Sequence, residues 1–196
     1  MNENEISSSD IKLIANFFSD KDIFKLKEII KSIKFEDKDL LEKIAKILNI
    51  NFQEYLTNIK PYLTNKQIQE LINEGHKIGS HSKNHPPFSE ITEDEQVMQV
   101  SDSTNFIVEN FKVNYKLFAF PFTDDKVKTS FFNIVFSENI IDYSFGTAGI
   151  KKDAIKNNIQ RIPLEKRSIS AKKYIKTEYL LYFIKKILGK YKVIRK

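Results

Sequence analysis

Apolar residues recur at helical spacing through the first third of the chain. Ile11, Leu13, Ile14, Phe17 and Phe18 form one run, which Ser9 or Asp10 can cap. Ile23, Leu26, Ile29, Ile30 and Ile33 form a second, opened by Asp20 or Asp22. Leu40, Leu41, Ile44, Ile47 and Leu48 form a third, opened by Asp37 or Asp39. A short fourth runs through Phe52, Tyr55, Leu56 and Ile59. No glycine precedes Gly75, and the first proline is Pro61. Residues 1–60 therefore read as a helical extension or insertion.

From Pro61 the pattern changes. Thr64 with Gln67 makes a capping box, and Ile68, Leu71 and Ile72 form the apolar stripe of the helix it opens. Gly75 closes that helix at a position suited to the left-handed conformation. Residues 76–81 read as a brief strand, followed by a loop with Pro86 and Pro87. Thr92 with Glu95 is a second capping box, opening a helix to about Asn110 that turns Val97, Val100, Thr104, Ile107 and Val108 inward. Further on come a strand at 116–122, a helix at 127–138 and a strand at 140–145 ended by Gly146. A strand near 159–163 and a long amphipathic helix at 170–189 complete the series. Alternating helices and strands predict an α/β domain over 61–196, with βα units around a parallel sheet or barrel.

Composition narrows the class. Apolar residues make up 41% of the 196, with 16 Phe, enough for a packed core rather than a disordered chain. No apolar run reaches the roughly 18 residues a membrane span needs. The acidic, polar start from Met1 to Glu5 is unlike a secretory signal, so a cytoplasmic location is expected. The absence of cysteine excludes disulfides and thiolate metal sites. The net charge of +6 comes from lysines spread along the chain, a pattern of solvated helix faces. Arg161, Arg167 and Arg195 are the only arginines. Bidentate reading of phosphates and bases favours arginine, which weighs against nucleic acid as a partner.

The candidate chemistry lies at His81 and His85, just after a predicted strand, at the edge where βα folds build their sites. Neutral imidazole is a standard ligand for zinc and related ions, and a spacing of four lets two rings converge. Taken alone, the pair is a weak signal, and a surface or capping pair without an ion fits it better. Gly79 and Ser80 permit a tight turn, Ser82 can orient a ligand by hydrogen bonding, and Pro86 and Pro87 stiffen the exit. His76 sits at odd spacing from His81, on the opposite strand face, and is not expected as a third ligand.

The segment from Leu71 through Gly75, Gly79 and His81-Ser82-Lys83-Asn84-His85 resembles the second motif of the polysaccharide deacetylases, the NodB-like or chitooligosaccharide-deacetylase family. The capped helix at Thr92 and the run Phe118-Ala119-Phe120-Pro121-Phe122 are similar to the elements that follow it there, and the likeness covers roughly residues 61–165. It implies a partial or distorted (β/α) barrel and a hydrolase that removes acetyl groups from a sugar or polysaccharide. It also implies a divalent metal cofactor, most often zinc. His81 and His85 match the metal ligands, Pro121 and Phe122 the wall of the substrate groove, and the Phe122 backbone N–H the oxyanion donor. A strand end packed into the core is the other reading of Pro121 and Phe122.

Departures from the family bound the expectation. The first motif, a strand with paired aspartates, has no counterpart in residues 1–60: Asp20 with Asp22 and Asp37 with Asp39 sit in helical context and read as caps. Ala119 stands where the third motif has arginine, and no histidine follows His85 to act as the leaving-group acid. Asp124, Asp125 and Asp142, at predicted strand ends, read as solvated loop charges. The expectation is thus a deacetylase-like hydrolase in truncated or weakly active form. The alternatives are a non-catalytic relative that binds glycan or metal, and a basic interaction protein. A barrel lacking its first strand would expose sheet edges, favouring a covering helix or an oligomer.

Overall fold

A computed structural model describes residues 7–18, 30–162, 164 and 170–195. The chain forms two compact units that divide between Asn65 and Lys66.

In the first unit, α1 spans Ser8–Ala15, α2 Asp39–Ile47 and α3 Phe52–Ile59. The cap of α1 is Ser7 rather than Ser9 or Asp10. Ser7 is extended, and its Oγ accepts the Asp10 N–H at 3.1 Å. The expected second helix lies largely outside the described residues. Helix α2 starts at Asp39 with no side-chain cap, because the 3-10 turn Phe35–Asp37 runs into it and Lys38 is already helical. Asn51 caps α3, its Oδ1 accepting the N–H groups of Gln53 and Glu54. Ile14, Ile44 and Ala45 are buried.

The second unit begins with α4, Asn65–Asn73, which Gly75 ends at φ +93 with its N–H on the Ile72 carbonyl. Helix α5, Glu93–Phe111, opens on the expected capping box: Thr92 Oγ1 accepts the Glu95 N–H, and the Glu95 carboxylate accepts the Thr92 N–H. Val100 and Thr104 are buried along it, while Val97, Ile107 and Val108 are only half-buried. Gln96 and Gln99 are buried instead, because their amides satisfy loop backbone: Gln96 Nε2 donates to Phe88 O.

Three parallel strands follow in the order β1 (Leu117–Ala119), β2 (Tyr143–Gly146) and β3 (Asn158–Gln160), with α6 (Thr129–Ser137) between the first two and α7 (Ala171–Ile187) last. Ala119 stands opposite Phe145, and Gly146 opposite Gln160. The expected strand at 76–81 shrinks to one parallel bridge, Ser80 to Phe118, since Ile78 gives its N–H to the Tyr115 hydroxyl rather than to a neighbouring strand. The strand expected at 159–163 starts one residue earlier and stops at Gln160. The sheet is open, and no closed barrel forms among the described residues.

One side of the fold is an aromatic core. Phe88, Phe118, Phe120, Phe131 and Phe132 are buried with Val100, Val127, Val135 and Ile141. Most of their ring pairs meet edge to face, as Phe88 and Phe120 do at 5.2 Å, the arrangement the ring quadrupole favours.

A polar network is buried as well, and it corrects the reading of Asp124 as a solvated loop charge. Asp124 Oδ2 accepts from Arg195 Nη2 at 2.6 Å and from Asn158 and Gln160 at 2.8 Å each. Arg195 also pairs with Asp153, and all three charged side chains are at most 4% exposed. The guanidinium lies 4.3 Å from the centre of the Phe132 ring. Gly146 is required beside this network, because a Cβ there would overlap the Asp124 carboxylate and the Gln160 carboxamide.

Burial alone would push the Asp124 carboxyl up. The hydrogen bonds from Gln160, Arg195, Asn158 and Thr147 outweigh it and hold the group below its ordinary value. Asp153 is lowered in the same way, burial again being opposed chiefly by Arg195. Arg195→Gln strands two buried carboxylates and is expected to cost about 3–5 kcal/mol in urea unfolding. Both aspartates are depressed in the folded state, so their stabilisation is full above the ordinary 3.8 and is lost as pH falls through the folded values. The urea midpoint of the parent chain should drop steeply over that acid range, and that of Arg195→Gln should drop less.

Candidate functional site

His81 is placed by the bridge that precedes it. Ser80 gives its N–H to Leu117 O at 2.7 Å and takes the Ala119 N–H at 2.9 Å, so the chain runs beside β1 towards its carboxyl end. The Ser80 hydroxyl is paired with Thr104 of α5 at 2.8 Å in the interior. Gly79 lets the segments approach this closely, since a Cβ would stand 2.9 Å from the Leu117 carbonyl oxygen.

The loop after His81 is held at several points. Gln99 Oε1 accepts the N–H groups of Lys83 and Asn84 at 3.0 and 2.9 Å, and Ser82 Oγ accepts the His85 N–H at 2.9 Å. Lys83 also pairs with Asp102 on α5 at the surface. Ser82 and His85 both have left-handed backbone, at φ +67 and +54, as does Phe122 at φ +54. Such conformations cost of order 1–3 kcal/mol each in a residue other than glycine, and they persist where surrounding bonds enforce them.

The two imidazoles meet as a result. His85 Nε2 lies 3.2 Å from His81 Nε2, with the rings edge to face at 4.9 Å. His81 Nδ1 lies 2.7 Å from Ala119 O. A carbonyl only accepts, so Nδ1 carries the proton and Nε2 presents a lone pair. That is how a metal-binding histidine is oriented by an outer partner. Two bonds of about 2.0–2.1 Å to one tetrahedral ion leave their nitrogens roughly 3.3 Å apart, so the spacing matches that of a shared divalent ion, while here it is the length of a hydrogen bond from His85 to His81. Burial is the main influence on His81 and lowers its pKa. The bond to Ala119 opposes this, and His85 and Arg161 reinforce it, leaving the ring neutral.

A pocket of about 590 Å³ opens beside the pair, with Phe120, Phe122, Thr147 and Arg161 in its walls. The Phe122 ring meets His85 edge to face at 4.8 Å and is largely exposed, and its backbone N–H donates to no other backbone group among the described residues. Pro121 is buried and lies outside the lining, Phe120 taking its place there. Arg161 was not singled out as a site residue from the sequence. It leaves β3 at its carboxyl end and sends Nε to Gly146 O and Nη2 to Phe120 O, both at 3.1 Å. A guanidinium thus reaches the strand end next to Ala119, from a different strand. Its scarcity was the available signal, since the chain has 3 arginines among 32 basic residues.

The other candidates stay apart. His76 is exposed beside Glu74. Asp142 accepts the Lys116 N–H at the opposite, amino edge of the sheet, and Asp125 is exposed. Asp124 accepts the Thr147 N–H on Oδ1 and the buried network's donors on Oδ2. Among the described residues no group of three or more His, Asp or Glu side chains could hold an ion. No helix among them is long and apolar enough to cross a membrane.

The sequence model of the family described as polysaccharide deacetylase matches residues 39–134, a span that holds His81, His85 and Phe122 and stops short of Arg161. No curated protein and no solved structure matches the chain. The His81 environment is open to a direct check. Followed by NMR in metal-free protein, His81 should titrate below 6.5, and Arg161→Gln should move it up towards that value.

Proposed function

We propose, since residues 39–134 belong to the polysaccharide deacetylase family, that this chain holds one divalent ion, zinc by preference, between His81 and His85 and hydrolyses acetyl groups from a sugar or polysaccharide. The observation that carries this reading is the 3.2 Å approach of the two Nε2 atoms, with one ring oriented by Ala119 O. When bound, such an ion polarises an acetyl carbonyl and makes a water nucleophilic near neutral pH.

The remaining roles belong to the chain. His81 offers Nε2 without rearrangement. His85 donates its Nε2 proton to His81 in the absence of an ion, and must carry its proton on Nδ1 to become a ligand. The Phe122 N–H is the donor for the oxyanion of the tetrahedral intermediate, and such donors are worth about 2.7–4 kcal/mol in acyl transfer. Pro121 fixes the backbone that presents Phe122, whose ring walls the groove. The open three-stranded sheet is an arc of the family's barrel, and the helices α1 to α3 precede it in the chain.

A second reading is favoured by one observation. Asp124, the buried acid nearest the pocket wall in sequence, is committed to Arg195. No acidic side chain stands among the described residues of the lining, so no general base is in place there. A relative that binds metal or acetylated glycan with slow or no turnover fits that arrangement.

Cobalt or zinc titration separates the readings. The parent chain should bind one equivalent. His81→Ala and His85→Ala should each weaken binding by more than the roughly 10–100-fold that loss of an outer partner costs. Acetate release from acetylated oligosaccharides, lost in the same variants, would establish the hydrolase; binding without release would leave the second reading. Metal affinity unchanged in both variants would falsify the metal site.

A further inference from the structure

The Arg161 side chain is placed as a binding group. Two main-chain carbonyls, Gly146 O on β2 and Phe120 O after β1, take its Nε and Nη2 hydrogens at 3.1 Å and fix the plane of the guanidinium. A guanidinium carries five N–H donors, so its terminal edge remains. Among the described residues no carboxylate pairs with it, whereas Arg195 holds two. The described lining of the pocket contains no acid. Thr147, Phe120 and Phe122 also line the pocket.

A fixed cation with N–H donors left over, set in a half-apolar pocket whose described lining holds no counter-charge, selects an anion. The fork matches the planar oxygens of a carboxylate two at a time, and the charge-assisted pair is strengthened where water is thinned. We propose that Arg161 makes this pocket a carboxylate-binding subsite. The carboxylate is either the acetate that deacetylation releases or the acid group of a uronic-type sugar in the substrate. The choice of these two ligands rests on the deacetylase reading, but binding itself requires neither a metal nor turnover.

The test uses the whole chain, metal-free in chelator, labelled with ¹⁵N. The Arg161 Nε–H and the Thr147 amide are followed while acetate, glucuronate, N-acetylglucosamine and inorganic sulfate are added in separate titrations. Saturable shifts at both groups with a carboxylate, and none with the neutral sugar, are expected. Shifts with glucuronate alone assign an acidic sugar, and shifts with both carboxylates assign a subsite that also holds released acetate. Arg161→Lys should weaken the affinity by roughly tenfold, the scale of one charge-assisted hydrogen bond, and Arg161→Gln should abolish it. Tighter binding of sulfate than of either carboxylate, or no saturable shift at Arg161 itself, overturns the proposal. The wild-type resonances decide the matter even if the glutamine variant does not fold. Zinc titration of the same sample distinguishes the two ideas: zinc binding lost with carboxylate binding intact sinks the metal reading alone, and the reverse sinks this one alone.

Discussion

The buried contact of Arg195 with Asp124 and Asp153 is the constraint on which the second unit depends. Two carboxylates and one guanidinium would be costly inside a fold if any were left unpaired. They are kept whole by Asn158 and Gln160 on β3 and by the Thr147 N–H after β2. The network thereby joins the segment after β1, the ends of two strands and the chain near its last described residue. It reaches the pocket as well. Thr147 is one of the pocket's walls, and the oxygen that fixes its backbone belongs to Asp124.

The histidine loop is tied to α5 instead. Gln99 and Thr104 are polar residues on the buried face of that helix, and each holds one part of the loop through Lys83, Asn84 or Ser80. Three residues with left-handed backbone surround the meeting point of the rings. Local strain of that kind is held by neighbouring bonds, as the Ser82 hydroxyl holds the His85 N–H.

Much of this was legible in the sequence because it is local. The Thr92 box, the left-handed Gly75, the convergence of His81 and His85, and the end of β2 at Gly146 each rest on residues a few positions apart. What could not be read depends on distant partners. Asp124 looked like a loop charge because its arginine lies 71 residues onward, and Arg161 looked ordinary because its carbonyl lies 41 residues back. Gln99 carries no signal at all in a polar-looking stretch of helix until the loop it satisfies is placed against it. The cap of α1 was misplaced by two residues, since serines at 7, 8 and 9 offer the same chemistry and only the backbone chooses among them.

The bond between His81 and Ala119 is made by main chain, and that has an evolutionary consequence. Any residue at position 119 offers the same carbonyl, so its side chain is free to drift without disturbing which imidazole nitrogen is left bare. Here position 119 is alanine, and the guanidinium that reaches this strand end, that of Arg161, comes from the end of β3. The side chains around the pair of rings can therefore change one at a time while the bond that orients His81 stays.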